Sequence, residues 1–143
     1  MTMAYDYLAQ VVELLSDLEP EHADLVLKRA PDDILLGLRR DFTNWSHGGQ
    51  KCPYGDWATW VIMAGRGYGK TRAGAEWIAA EARADGNLRI ALIGATLDEA
   101  RKILVEGNSG LLSVASDDIA AWLPSVGMIR FTSGAEARLF SGA

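Results

Sequence analysis

Residues 64–71, Ala-Gly-Arg-Gly-Tyr-Gly-Lys-Thr, carry the most specific chemical pattern in the chain. A phosphate-binding loop has the pattern G-x-x-x-x-G-K-[ST]. Gly69, Lys70 and Thr71 match its last three positions, whereas Ala64 replaces its first glycine. Alanine can serve there if its backbone keeps a negative φ. The pattern predicts a loop that holds a nucleoside triphosphate; the alternative is a glycine-rich turn with a coincidental Gly-Lys-Thr.

Each residue type in this loop has a role in that chemistry. Glycines at Gly65, Gly67 and Gly69 would let backbone N–H groups converge on the β- and γ-phosphates. The ammonium of Lys70 would lie between the phosphates, and the hydroxyl of Thr71 would bind Mg²⁺. A helix beginning near Lys70 would add the positive end of its dipole.

Side chains near the loop have two interpretations each. Arg66, inside the loop, is either an arginine that stabilises charge on the γ-phosphate or a solvated loop residue. Gln50 could read the adenine edge with its amide, and Trp57 or Trp60 could stack on the base. The alternative is that these residues and Pro53 belong to a linker and to the core.

The elements that would position the loop follow from apolar patterning. Residues 57–64 form an apolar, β-branched and aromatic run that predicts a buried strand. A helix is expected over residues 73–82, ending near Gly86, and a second strand over residues 88–94. A strand, a glycine turn, a helix and another strand begin a βαβ architecture with a parallel sheet.

Further along the chain, Thr96 and Glu99 form a capping box that starts a helix running towards Gly107. Residues 116–118 could cap another helix through Trp122. The runs at 128–132 and 136–140 flank Ser133-Gly134, which predicts a β-hairpin.

The N-terminal segment is helical in pattern. Apolar residues recur at helical spacing up to Leu18, Glu19-Pro20 interrupts them, and a short helix carries residues 25–27. A third amphipathic helix is expected from Pro31, in its first turn, to Trp45. Residues 46–55 are rich in turn formers and predict a linker.

Composition excludes several classes of protein. The 143 residues are 49% apolar and 23% charged, which excludes a disordered tail. No uninterrupted apolar run is long enough to span a membrane. The single cysteine, Cys52, excludes an internal disulfide and a cysteine-based zinc site, and fits a reducing cytosol. The net charge of −5 excludes a globally basic nucleic-acid binder.

The loop and its surroundings resemble the large terminase subunit of tailed phages and gene transfer agents. The resemblance is carried by residues 65–77, Gly-Arg-Gly-Tyr-Gly-Lys-Thr-Arg-Ala-Gly-Ala-Glu-Trp, and upstream by Gln50–Pro53, Gly55–Trp57 and Trp60. It continues, in the family's order, at residues 95–96, 100–101, 105–112, 134–137 and 140–143.

That resemblance implies a motor that packages double-stranded DNA into procapsids. The family's N-terminal domain is a RecA-like ATPase, and its C-terminal domain is a nuclease. The implied cofactors are ATP and Mg²⁺. The implied partners are double-stranded DNA, the small terminase subunit and the portal protein, in the host bacterial cytoplasm and without a membrane. The full-length protein would form a homo-oligomeric ring.

The resemblance also assigns roles to single residues. Lys70 and Arg66 are the implied catalytic residues, and Thr71 is the implied metal contact. The residues expected to bind the nucleotide are Gln50, Gly65, Gly67, Tyr68, Gly69, Lys70, Thr71 and Arg72.

The expected fold is α/β, a RecA-like P-loop NTPase with a parallel sheet in three αβα layers, preceded by N-terminal helices. Residues 1–46 are the helical region, 47–58 a linker with the adenine-binding segment, and 59–143 the front half of the ATPase domain. The family's acidic Mg²⁺-binding strand and catalytic glutamate are expected after the hairpin. We therefore expect a domain truncated before that strand, and hydrolysis by this chain alone stays open.

Two alternatives remain at this point. The chain could be a self-standing, non-catalytic module that binds nucleotide or a motor partner. It could also belong to another P-loop ATPase of the additional-strand class, such as a helicase.

Overall fold

The computed structural model of the protein describes residues 2–142, with side chains described for Tyr7 and for residues 9–142. The chain divides into two compact units, Met1–Lys51 and Cys52–Ala143. The division falls inside the segment 47–58 that the sequence predicts to be a linker. No helix in the described part is both long and apolar enough to cross a membrane.

The N-terminal unit is helical, as its apolar spacing predicts. Pro20 occupies the first position of the second helix, where a missing N–H costs nothing. Val12, Leu15 and Leu38 form the small buried core of the unit. Its helices are α1 (Thr2–Ser16), α2 (Pro20–Arg29), α3 (Asp32–Arg40) and α4 (Phe42–Trp45), followed by a 3₁₀ turn (Gly48–Gln50).

The single helix predicted from Pro31 to Trp45 is wrong in two details. Pro31 is the N-cap of α3 and not a residue of its first turn. The helix is interrupted at Asp41, whose side chain is buried and accepts a hydrogen bond of 2.6 Å from Asn44 Nδ2. Trp45 Nε1 donates to the Leu38 carbonyl at 2.9 Å, which ties α4 back onto α3.

The C-terminal unit is a mixed α/β structure around a four-stranded sheet. The sheet has the order β1-β4-β3-β2, with β1 and β4 parallel and the other two pairs antiparallel. Its strands are β1 (Arg89–Gly94), β2 (Ile119–Leu123), β3 (Met128–Phe131) and β4 (Glu136–Ser141). Its helices are α5 (Lys70–Ala84), α6 (Leu97–Ala100), a π-helical turn (Arg101–Val105), α7 (Leu111–Val114) and a 3₁₀ turn (Ser116–Asp118).

The α/β class is therefore confirmed, but the sheet is mixed and not parallel throughout. One sheet face packs against the helices through Leu92, Ile129 and Ala137, which share a buried cluster with Ala75 and Ala82 of α5. On the other face Arg89, Arg138 and Phe140 are exposed. The described residues of this unit thus form two layers.

Several local predictions are confirmed. The helix after the glycine loop is α5, and the expected second strand is β1. The Thr96 side chain accepts a hydrogen bond of 3.1 Å from the Glu99 N–H and caps α6. The predicted hairpin is formed by β3 and β4.

The strand predicted over residues 57–64 is wrong. These residues form no strand, and Val61 and Met63 are 67% and 90% exposed. In the described sheet β1 is an edge strand that pairs only with β4, and residues 57–64 pair with none of the four strands. Apolar, β-branched residues become a strand only when a neighbouring strand supplies the ladder of hydrogen bonds.

The helix predicted over residues 116–122 is also wrong. Ser116–Asp118 form a single 3₁₀ turn, and the chain continues as strand β2. Ile119 pairs with Phe131 of β3, and Trp122 pairs with Ile129. Sheet pairing and packing against the buried cluster outweigh the local helix signal here.

Candidate functional site

The backbone of the glycine loop has the left-handed geometry that its glycines allow. Gly67 has a φ of 80° and Gly69 a φ of 87°. No described residue other than glycine has a positive φ, so Ala64 keeps the conformation that makes alanine acceptable there. Gly65 lacks a positive φ, and a Cβ built on it meets nothing within 4 Å. The loop conformation therefore requires two of its three glycines.

Lys70 closes the loop. Its Nζ donates one hydrogen bond of 2.8 Å to the carbonyl oxygen of Ala64 and another of 2.6 Å to that of Gly65. The ammonium therefore lies against the first two residues of the loop. Phosphate oxygens are stronger partners for an ammonium than neutral carbonyls, because both groups are charged. A polyphosphate could therefore replace either carbonyl.

The N-terminus of α5 lies at the end of the loop. Gly69 is the N-cap and brings no side chain to the first turn, whose first helical bond runs from the Ala73 N–H to the Gly69 carbonyl at 2.9 Å. The first turn of an α-helix leaves N–H groups without partners inside the helix and carries partial positive charge. Thr71 is the second residue of this 15-residue helix and is half-buried. This end of α5 suits an anion.

Arg72 forms an ion pair with Glu76, an acid that the sequence does not single out as a site residue. Its Nε donates to Glu76 Oε1 at 2.7 Å, and its Nη2 lies 2.6 Å from the same oxygen. Glu76 is 6% exposed. Burial raises the pKa of the Glu76 carboxyl, and the hydrogen bond from Arg72 opposes that rise. The i,i+4 spacing of Arg72 and Glu76 is the feature of the sequence from which this ion pair could be predicted.

A second buried acid lies at the other end of α5. Arg83 Nη1 donates to Asp118 Oδ2 at 2.6 Å, and Asp118 is 7% exposed. The charges of Arg83 and Asp118 also act on the pKa of Glu76, in opposite directions. This ion pair ties α5 to the turn that begins β2, so Asp118 is a structural residue and does not cap a helix.

Three further predicted site residues lie on or outside the loop. Arg66 is exposed, and Tyr68 is half-buried between the two left-handed glycines. Gln50 belongs to the N-terminal unit, where it ends a 3₁₀ turn and donates its backbone N–H to the His47 carbonyl at 2.9 Å.

Three tryptophans pack together next to the loop. The ring centroids of Trp57 and Trp60 lie 6.3 Å apart, and both lie close to Trp77 of α5, at 5.9 and 6.2 Å. Trp57 Nε1 donates to the Pro53 carbonyl at 2.9 Å. Aromatic packing therefore holds the segment before the loop against α5, with Trp57 and Trp60 half-buried and outside the buried cluster of the sheet.

The fold and the site together define a mixed α/β unit whose glycine loop ends in a lysine-bearing helix N-terminus. Residues 61–143 match the family described as terminase large subunit, T4likevirus-type, N-terminal. The chain belongs to this family, which gives it a role in phage DNA packaging. Comparison with curated proteins and with solved structures finds no match.

Proposed function

We propose that residues 64–71 bind the phosphates of ATP together with Mg²⁺, and that the chain is the N-terminal part of a DNA-packaging ATPase. One observation supports this proposal: Lys70, the first residue of α5, donates hydrogen bonds of 2.8 and 2.6 Å to the two carbonyls that begin a loop with two left-handed glycines. A lysine on such a loop delivers its charge to the place where the backbone N–H groups converge.

In this proposal Lys70 contacts the β- and γ-phosphates, and Thr71 contributes its hydroxyl to Mg²⁺. Gly67, Tyr68 and Gly69 contribute backbone N–H groups, and the start of α5 contributes its dipole. Arg66, which is exposed in the loop, is available for the γ-phosphate. The role of Gln50 in reading the adenine rests on the family resemblance. ATP and Mg²⁺ supply the phosphoryl group and the charge neutralisation that a packaging motor needs.

The family also supports proposals about the fold and the partners. The family resemblance favours a RecA-like fold for the ATPase domain. Double-stranded DNA, the small terminase subunit and the portal protein would be its partners in the host cytoplasm. Nucleotide binding is the activity that we assign to the residues described.

A nucleotide series tests the site. Thermal unfolding of the whole chain is followed with Mg²⁺ and saturating ATP, ADP or AMP. A ligand at 100 times its Kd stabilises the folded state by about 2.7 kcal/mol. We expect the increase in Tm to follow the order ATP, ADP, AMP, because each phosphate adds contacts to the loop. Equal shifts with AMP and ATP would show that the loop does not bind the phosphates.

A further inference from the structure

The N-terminal unit carries an apolar groove that its own small core does not fill. The groove has a volume of about 650 Å³ and is lined by residues of α1, α2 and α3. Among its lining residues Leu14 is 66% exposed, and Leu25 and Val26 are each 49% exposed. Tyr7 of α1 and Leu18, in the turn after α1, extend the apolar surface.

This surface is larger than the packing of the unit explains. The buried core of the unit consists of Val12, Leu15 and Leu38, with a few half-buried neighbours. Single exposed apolar residues are ordinary, but a contiguous apolar groove with polar edges marks a site of interaction. Three helices line the groove, and a cleft of this kind accepts the apolar face of a helix.

The charge around the groove selects its occupant. Residues 2–40, which span the three lining helices, carry eight carboxylates and four cations, and the charged side chain in the groove lining itself is Arg29. The rest of the chain carries eleven acidic and ten basic residues, so −4 of the net charge of −5 resides on the segment that bears the groove. Such a surface attracts a basic partner and repels nucleic acid.

We propose that this groove binds an amphipathic helix of a protein partner, with apolar anchors at i, i+3 or i+4, and i+7 and with Lys or Arg at its flanks. A second copy of this chain is the less suitable occupant, because it would bring two segments of net charge −4 together. The proposal concerns a surface separate from the glycine loop, and its test requires no nucleotide.

A displayed library of random helical peptides, selected on the whole immobilised chain, tests the proposal directly. We expect the enriched peptides to share the apolar spacing and to carry net positive charge. Raising the salt from 0.05 to 0.5 M should weaken their binding, because the Debye length falls from about 14 Å to about 4 Å. Absence of enrichment, or enrichment of acidic or non-periodic peptides, would overturn the proposal.

A pair of variants locates the binding on the groove. Leu14→Gln combined with Leu25→Gln should weaken binding of an enriched peptide at least tenfold, with the helical circular dichroism unchanged. Val126→Gln is the control, because Val126 is as exposed as Leu14 but lies in the turn between β2 and β3. Equal binding by all three proteins would contradict the proposal. A dimer of the wild type that the double variant abolishes would assign the groove to a second copy instead.

Discussion

Lys70 is held by two backbone carbonyls, and this arrangement explains how a short loop can present a lysine. The two bonds orient the ammonium over the loop, so that little side-chain freedom remains to be lost when a phosphate arrives. The left-handed glycines make that loop path accessible. The geometry of the loop therefore depends on the backbone conformation of Gly67 and Gly69 as much as on the charge of Lys70.

Gly67 and Gly65 form a matched pair that tests this dependence. A Cβ on either residue meets nothing within 4 Å, but only Gly67 has a positive φ. Gly67→Ala should lower the free energy of unfolding by about 1–2 kcal/mol, because alanine is strained in the left-handed region. Gly65→Ala should leave it unchanged within about 0.5 kcal/mol. Urea unfolding of both variants measures the difference, and equal losses would contradict the assigned loop conformation.

Glu76 gives the stability a specific pH dependence. Because burial raises its pKa in the folded protein, the folded state binds its proton more tightly than the unfolded state does. The resulting stabilisation is complete below about pH 4.3, the ordinary glutamate pKa, and is lost as the pH rises through the folded value. The stability of the wild type relative to Glu76→Gln should therefore fall as the pH rises from 4 to 8.

Urea unfolding at several pH values measures that difference. Glu81→Gln is the control, because Glu81 is an exposed carboxylate of the same helix. A difference between wild type and Glu76→Gln that rises with pH would contradict the assigned direction. It would mean that the ion pair with Arg72 outweighs the cost of burial.

At the scale of elements, α5 links the loop to the sheet. Its alanines pack against the sheet, its Trp77 contacts the segment before the loop, and its Arg83 binds Asp118 before β2. Small residues on the buried face let the helix lie close to the strands. A change in the packing of α5 against the sheet would therefore also change the position of the loop.

Two glycines outside the loop distinguish helix propensity from close packing. Gly74 lies within α5 with open space around its Cα, so Gly74→Ala should stabilise the protein by about 1 kcal/mol. Gly94 ends β1, and a Cβ there would lie 2.9 Å from the backbone of Ala100 in α6. Gly94→Ala should destabilise the protein by about 1–3 kcal/mol. Thermal unfolding measures both, and a stabilising Gly94→Ala would contradict the contact between β1 and α6.

The same elements show what can be predicted from the sequence. The capping box at Thr96, the glycine turn before α5 and the β3–β4 hairpin depend on neighbours within a few residues, and each is found. The predictions of a strand over residues 57–64 and of a helix over residues 116–122 are wrong, because the structure of both segments depends on residues that are distant in the sequence. The first segment lacks a neighbouring strand in the described sheet, and the second finds one in β3.

The candidate site likewise contains some features that depend on neighbouring residues and others that depend on residues distant in the sequence. The positions of Lys70 and Thr71 at the start of a helix could be predicted from a local motif. The burial of Glu76 and the pairing of Asp118 with Arg83 could not, because they depend on how α5 packs. The bonds from Lys70 to the loop carbonyls depend on side-chain rotamers that no pattern specifies.

At the scale of the whole molecule, charge and chemistry reside on different parts of the chain. The glycine loop lies in the C-terminal unit, and −4 of the net charge of −5 lies on the N-terminal unit. Membership of the terminase family, whose match covers residues 61–143, gives the chain a role in DNA packaging. The C-terminal unit would supply nucleotide binding, and the N-terminal unit would supply the contact with a basic partner.

Titration calorimetry of ATP with Mg²⁺ tests the central claim most directly. Lys70→Ala removes one charge-assisted phosphate contact and should weaken binding by about 1.5–3 kcal/mol, roughly 10- to 150-fold in Kd. Lys102→Ala, which removes an exposed lysine of the same unit, should leave the Kd unchanged. Equal ATP affinity of the wild type and folded Lys70→Ala would contradict the assignment of residues 64–71 as a phosphate-binding loop.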